Sequence, residues 1–286
     1  MKTILNFSLG SVLVALIAFS ACQKNNMSAP NDASTMAATS ARIDNESNKV
    51  EDAVNSVALN FGIQLANGKL DGGGIISLLP ACATVTLDTV SDPHSMVINF
   101  GSTPCLCDQW DNRYRQGVVT VTWTGGYRQP GTVISYSTSS YYRGDAADQM
   151  DQINFSKTVT NEGLNNAGNL HYSIVTTGSM TTFDGQTSNW SATKDKEWVA
   201  GSGTSDPSDD VYKFSGTLSG TNLNGVAYTA TITTPLVKNA CDWYVSGTVD
   251  FTRTNMPTAT LDYGNGNCDD QATVTVNGQT KTITLH

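Results

Sequence analysis

Six cysteines, five tryptophans and one dense cluster of oxygen-bearing side chains are the parts of this 286-residue chain that could do chemistry. The oxygen cluster is Asp262, Asn265, Asn267, Asp269 and Asp270, set around Gly264 and Gly266. Hard cations take such oxygen sets, so the stretch is a candidate calcium (Ca2+) site. Its spacing differs from the helix-loop-helix calcium motif, and Asn-Gly-Asn is also ordinary turn chemistry, so a plain turn is the competing reading. The tryptophans Trp110, Trp123, Trp190, Trp198 and Trp243 are joined by Tyr136, Tyr141 and Tyr142. Aromatic rings stack on sugars where they are exposed and fill the core where they are not. Trp190 and Trp198 stand an even number of positions apart, so a regular strand shows both on one face; they are the candidate carbohydrate-binding pair.

A catalytic constellation is harder to assemble. His94, His171 and His286 are scattered, and the zinc-protease, nucleophile-elbow, Walker and dinucleotide-binding patterns are missing from the chain. A serine without a placed base has no activation. Two carboxylates suffice for glycoside hydrolysis, and Asp145, Asp148 and Asp151, or Asp195 with Glu197, are the candidates. The first set lies in the polar connection from Gly144 to Gln152, where acids normally serve solubility. The expectation is a noncatalytic protein, structural or ligand-binding. A glycan-binding accessory protein is the alternative, and a carboxylate-dependent glycoside hydrolase stands behind it.

The cysteines form a repeat. Phe100-Gly101-Ser102-Thr103-Pro104-Cys105 and Tyr263-Gly264-Asn265-Gly266-Asn267-Cys268 share the order aromatic, Gly, three residues, Cys. Each follows an alternating strand pattern and precedes an acidic residue and another such pattern. Each also has a cysteine upstream, Cys82 and Cys241 respectively. Pairing Cys82 with Cys105 and Cys241 with Cys268 follows from the repeat, although four cysteines allow three connectivities and spacing alone leaves the crossed ones open. Cys107 is then free or competes with Cys105 for Cys82. Thiolate zinc binding by Cys105 and Cys107 has poor ligand spacing and no nearby histidine.

These residues need a compartment and a scaffold. Lys2, the apolar run from Ile4 to Ala18 and the small residues before Cys22 read as a secretory signal over residues 1–21. The junction Phe19-Ser20-Ala21-Cys22 resembles the lipobox of bacterial lipoproteins. That resemblance implies cleavage before Cys22 and acylation of its thiol with palmitate-type chains, which hold the chain on a membrane. Sixteen basic residues stand against 25 acidic ones, a formal net charge of −9. Such a balance repels nucleic acid and anionic headgroups, so the membrane partner is reached through lipid.

Residues 22–45 lack periodicity and are expected to be a flexible tether. A helix over 47–67 is predicted from Val50, Val54, Val57, Ala58, Phe61 and Leu65 at spacings of three and four. After the hinge Asp71-Gly72-Gly73-Gly74, period-2 segments run to the end, with Asp184-Gly185, Asn224-Gly225 and Asn277-Gly278 as hairpin turns. Strands are predicted near 82–88, 95–100, 117–124, 131–139, 151–159, 169–177, 179–184, 187–199, 211–219, 225–233, 241–253, 258–263, 271–277 and 279–285. Helical crossovers are missing between them, so residues 46–286 should be one all-β domain. Its expected form is a large curved antiparallel meander or sandwich with the N-terminal helix packed on a face.

With Ala81-Cys82-Ala83-Thr84-Val85-Thr86, Ile98-Asn99-Phe100-Gly101, Arg113, Arg115 and Gly117, Thr124-Gly125-Gly126-Tyr127 and the stretch from Leu261 to Asp270, the chain resembles uncharacterised lipoproteins of Bacteroidetes-type bacteria. The resemblance covers nearly the whole mature chain and implies an outer-membrane lipoprotein of β architecture, with no activity attached. Gln23-Lys24-Asn25-Asn26 lacks the acidic residues that often direct surface display in that group, which leaves the periplasmic and outward faces both open. Asp88-Thr89-Val90 resembles the short acceptor motif for O-glycosylation in such bacteria.

Overall fold

The computed structural model describes residues 29–61, 63, 79–204 and 206–285. The signal segment, Cys22, the Asp71–Gly74 hinge and the predicted helix end beyond Ile63 lie outside them. Among the described residues one α-helix, α1 (Ala29–Asn60), precedes fourteen strands. They are β1 (Thr84–Asp88), β2 (His94–Asn99), β3 (Cys105–Cys107), β4 (Arg113–Trp123), β5 (Val133–Ala146), β6 (Gln149–Leu164) and β7 (Leu170–Thr181). The second half is β8 (Thr187–Ala200), β9 (Val211–Thr221), β10 (Ala227–Lys238), β11 (Ser246–Thr252), β12 (Ala259–Asn265), β13 (Gln271–Val276) and β14 (Gln279–Thr284). Each strand pairs antiparallel with its neighbour in chain order, except that the short β3 lies beside β4 off the main path. The result is an all-β open meander with β1 and β14 as its end strands.

The predicted strands at 169–177 and 179–184 are a single strand, β7. Gly178 reads as a break, but its missing side chain makes room for the ring of Trp190 on the paired strand: a Cβ there would sit 2.4 Å from that ring. Asn277 and Gly278 both take positive φ, as a two-residue hairpin turn demands. At Asp184-Gly185 and Asn224-Gly225 only the glycine does, and the connections, 182–186 and 222–226, are longer.

The helix departs most from expectation. Residues 29–45 are helical instead of forming a tether, with 31–45 mostly buried or half-buried, and Phe61, assigned to the apolar stripe, is 57% exposed. A helix of 32 residues is about 48 Å long. Along it, Glu46 meets Arg115 of β4 and Arg143 of β5, and Glu51 meets Lys157 of β6 and Lys196 of β8. Asp32 meets Arg253, just past β11, and Asn31 meets Lys281 of β14. Partners from so many strands reach one helix only if the sheet curls around it, so α1 is enclosed by the meander rather than laid on one face. Alternate residues of each strand then point at the helix, as in β8, where Trp190, Ala192, Lys194, Lys196 and Trp198 are all buried.

The other face is rich in hydroxyls. One continuous row crosses the strands through Ser95, Thr122, Ser135, Thr158, Val175, Thr193, Thr217, Thr231, Asp250, Thr260, Thr275 and Thr280. A sheet that spans a bilayer turns an apolar band outward; this one turns threonine and serine. Among the described residues no helix is long and apolar enough to cross a membrane.

Both disulfides join the cysteines that the repeat singles out, Cys82 to Cys105 and Cys241 to Cys268, with Cα separations of 6.0 and 5.6 Å. Cys107 is free and buried.

Candidate functional site: a polar cleft beside the helix

Asn48, Asp52 and Asn55 recur at spacings of three and four and so share one face of α1. Facing them, Lys196 of β8 and Tyr212 and Phe214 of β9 point inward. Lys238 ends β10, and the segment 239–242 turns back across the opening. Trp110 enters from the turn between β3 and β4. Together these residues line a cleft of about 340 Å3, at the small end of the range for small-molecule pockets. The strand expected to begin at 241 begins at Ser246 instead, because residues 239–242 form the rim of this cleft. Cys241 lies in that rim, so its bridge to Cys268 fixes one wall.

Most charges around the cleft are paired. Glu51 accepts from Lys157 Nζ at 2.6 Å and from Lys196 Nζ at 3.1 Å. Burial opposes its ionisation, and the two ammonium groups override burial, holding the carboxyl well below the usual carboxylate range. Asp210 accepts from Trp198 Nε1 and from the Tyr212 hydroxyl, both at 3.1 Å. Lys49 pairs with the exposed Asp242 at 2.6 Å. Asp52 and Lys238 are compensated less well. Burial pushes the Asp52 carboxyl up, with Lys238 the first opposing influence. Burial likewise pushes the Lys238 ammonium down, and Asp52 is its foremost counter-charge. Lys238 Nζ also donates to the carbonyl of Cys241. Trp110 is only partly buried; the guanidinium of Arg115 lies 3.6 Å from its ring centroid, and its buried indole N–H has no hydrogen-bond acceptor among the described residues.

The predicted site residues are distributed differently. Trp190 and Trp198 do share a face, but it is the inward one. They are 7% and 1% exposed and belong to the core, so they offer no stacking surface. Asp262, Asn265, Asn267 and Asp269 line one shallow hollow, and Asp270 does not. Asp262 accepts from the Gly264 N–H at 2.8 Å and Asp269 from the Gln271 N–H at 3.0 Å, which is turn chemistry. Among the described residues no group of three His, Cys, Asp or Glu could hold a metal ion. Asp145 and Asp151 line a second cavity of about 410 Å3. Each is ion-paired with an arginine, Asp145 with Arg113 at 2.9 Å and Asp151 with Arg42, in the cavity lining, at 2.5 Å. Asp195 pairs with His171 at 3.0 Å, while Glu197 accepts from the side-chain amides of Asn165 and Asn169. Asp88 anchors the β1–β2 turn by accepting from the Val90 and Ser91 N–H groups; these bonds and the Ser91 hydroxyl hold it down at about 2. Thr89 and Val90 at the tip are exposed.

Asp52, Lys238 and Asn239 carry no motif and go unnoticed in the sequence, while Trp110 is one tryptophan among five. A signal for the inner charges does exist. In β8 the inward register is fixed by Trp190, Ala192 and Trp198, and the same register turns Lys194 and Lys196 inward, where each requires an acid. No family model, curated protein or solved structure matches the chain.

Proposed function

We propose that this chain is a lipid-anchored, noncatalytic envelope protein whose β domain binds a polar ligand in the cleft beside Trp110. The observation that carries the binding reading is the state of the charges in that cleft. Glu51, Asp210 and Lys49 are held in fixed hydrogen bonds or ion pairs. Asp52 and Lys238 line the same cleft half-buried, beside a rim pinned by a disulfide, and burial works against the charge of each. Fixed charges around a few under-satisfied groups suit recognition better than proton shuttling. The anchor reading rests on the lipobox-like junction at Cys22, and two disulfides agree with an oxidising extracytoplasmic compartment.

A carboxylate-dependent hydrolase is the second reading, favoured by Asp145 and Asp151 meeting at one cavity. Their arginine partners weigh against it, since a general acid must keep its proton. The test is expression of the full chain and its Cys22→Ala variant in a bacterium that processes lipoproteins. The parent should fractionate with membranes and incorporate labelled fatty acid, and the variant should do neither. Incubation with a panel of polysaccharides should release no new reducing ends; release abolished by Asp151→Asn would establish the hydrolase instead.

A further inference from the structure

We infer that the cleft beside Trp110 is a saccharide site, in which the indole ring carries one face of a neutral pyranose while Asp52, Lys238 and Asn239 bind its hydroxyls. The inference names the ligand class for the binding reading above and rests on that reading.

Three observations point to a neutral, hydroxyl-rich ligand. The charges of the cleft nearly cancel. Lys49, Lys196 and Lys238 stand against Glu51, Asp52, Asp210 and Asp242, with Lys157 shared by Glu51. Four bases thus meet four acids, so the cleft offers no net charge to attract an ion of either sign. The unsatisfied capacity is also of both kinds. Asp52 offers acceptor oxygens, Lys238 keeps N–H donors beyond the one given to the Cys241 carbonyl, the Asn239 amide keeps its N–H donors while its oxygen accepts from the Cys241 N–H, and Asn55 adds a second amide. A sugar hydroxyl donates and accepts at once, so adjacent hydroxyls can bridge a carboxylate and an ammonium without adding charge.

The third observation is the ring itself. Arg115 covers part of Trp110 and is in turn held by Asp111 at 2.7 Å and by Glu46 at 3.3 Å, both in the largely buried network under the cleft. The ring is therefore fixed in place, which lowers the ordering cost of stacking a ligand on it. Asn239 and Ala240 at the rim are exposed, so the end of a longer glycan can enter while the rest stays in solvent. The tryptophans that the sequence nominates for this task are in the core, whereas Trp110 keeps part of its surface at the cleft.

The experiment uses the full mature lipoprotein in detergent micelles. Tryptophan fluorescence and saturation-transfer NMR are recorded against neutral gluco-, manno-, galacto- and xylo-oligosaccharides, with glucuronate and alanine as the anionic and zwitterionic arms. At least one neutral oligosaccharide should bind saturably. Its affinity should fall at least tenfold in Trp110→Ala and in Asp52→Asn and should be unchanged in Asp262→Ala, in the separate hollow. Asp52→Asn keeps the size and shape of a half-buried side chain, so it keeps the test independent of folding. Trp110→Phe should restore part of the affinity by restoring a ring. Lack of binding across the neutral panel, affinity indifferent to Trp110→Ala, or preference for alanine or glucuronate would each overturn the inference. The fractionation of the Cys22→Ala variant would be untouched by any of these, so the anchor reading stands or falls separately.

Discussion

Glu51 of the helix accepts a hydrogen bond from Lys157 of β6 at 2.6 Å, across 106 positions of sequence, and both side chains are almost wholly buried. The contact is one of a series, from Asp32–Arg253 and Asp44–Lys194 to Glu46–Arg115, that matches acids on the helix to bases on the sheet interior. A charged helix can lie inside a curled sheet only because these pairs neutralise it.

Replacing Glu51 by Gln leaves the ammonium groups of Lys157 and Lys196 buried with a weakened counter-charge. The expected loss is about 3–5 kcal/mol of unfolding free energy, measured by denaturant titration of the full chain. The pH dependence follows from the sign of the shift. Glu51 titrates lower in the folded chain than in the unfolded one. Its stabilisation is therefore complete above the unfolded value of about 4.3 and declines as pH falls below it. The gap between parent and Glu51→Gln should be constant from pH 6 to 8 and shrink below pH 4. A constant gap down to pH 2 would contradict the ion-pair account.

Asp52 carries the opposite sign. Its folded carboxyl is pushed up, so the favourable state is the protonated one, present below the unfolded value of about 3.9 and lost as pH rises through the folded value. Asp52→Asn should therefore stabilise the protein at pH 7 by about 1 kcal/mol, or ~2–4 °C in melting temperature, and by nothing at pH 3.5. A variant less stable than its parent at pH 7 would show that Lys238 compensates the carboxylate fully.

Cys107 faces the core beside Cys105, whose carbonyl accepts from its thiol at 3.7 Å. Burial pushes the thiol up from its ordinary value, against the opposing charge of Arg115. Native lipidated protein should show no thiol reacting within minutes with an aromatic disulfide reagent, and one per chain after unfolding in guanidinium. A fast thiol in the folded state would mean exchange between Cys107 and the Cys82–Cys105 bridge.

Reduction opens loops of 23 and 27 positions. Each bridge is worth about 3–4 kcal/mol by chain entropy, so the reduced protein should melt well below the oxidised one. Reduction should also weaken ligand binding at the cleft, whose rim Cys241 pins. Melting curves with and without reductant would decide this, and coincident curves would refute the role given to the bridges.

The legible parts of the fold were those with a simple period. β-branched alternation places most strands within a few residues, and the repeated aromatic-Gly-x3-Cys segment leads to the observed disulfides. Residues 29–45 misled for a physical reason. An amphipathic stripe arises when one face of a helix meets solvent, whereas buried residues of α1, among them Ala33, Ala37, Ser40, Ile43, Glu46 and Lys49, are spread around its circumference. Ala33, Ala37 and Ala41 pack closely, while Asp32, Asp44 and Glu46 look soluble but pair inward. The cleft was hidden for a related reason. Asp52, Trp110 and Lys238 come from three distant segments, and only the curl of the sheet makes them neighbours.

The most direct test of the anchored, oxidised envelope protein is the intact mass of the chain purified from its native membrane. The account predicts a mature chain that begins at Cys22 with diacylglycerol and an amide-linked acyl chain, two disulfides and one thiol. A chain that still carries Met1, lacks lipid and has all its cysteines reduced would contradict it.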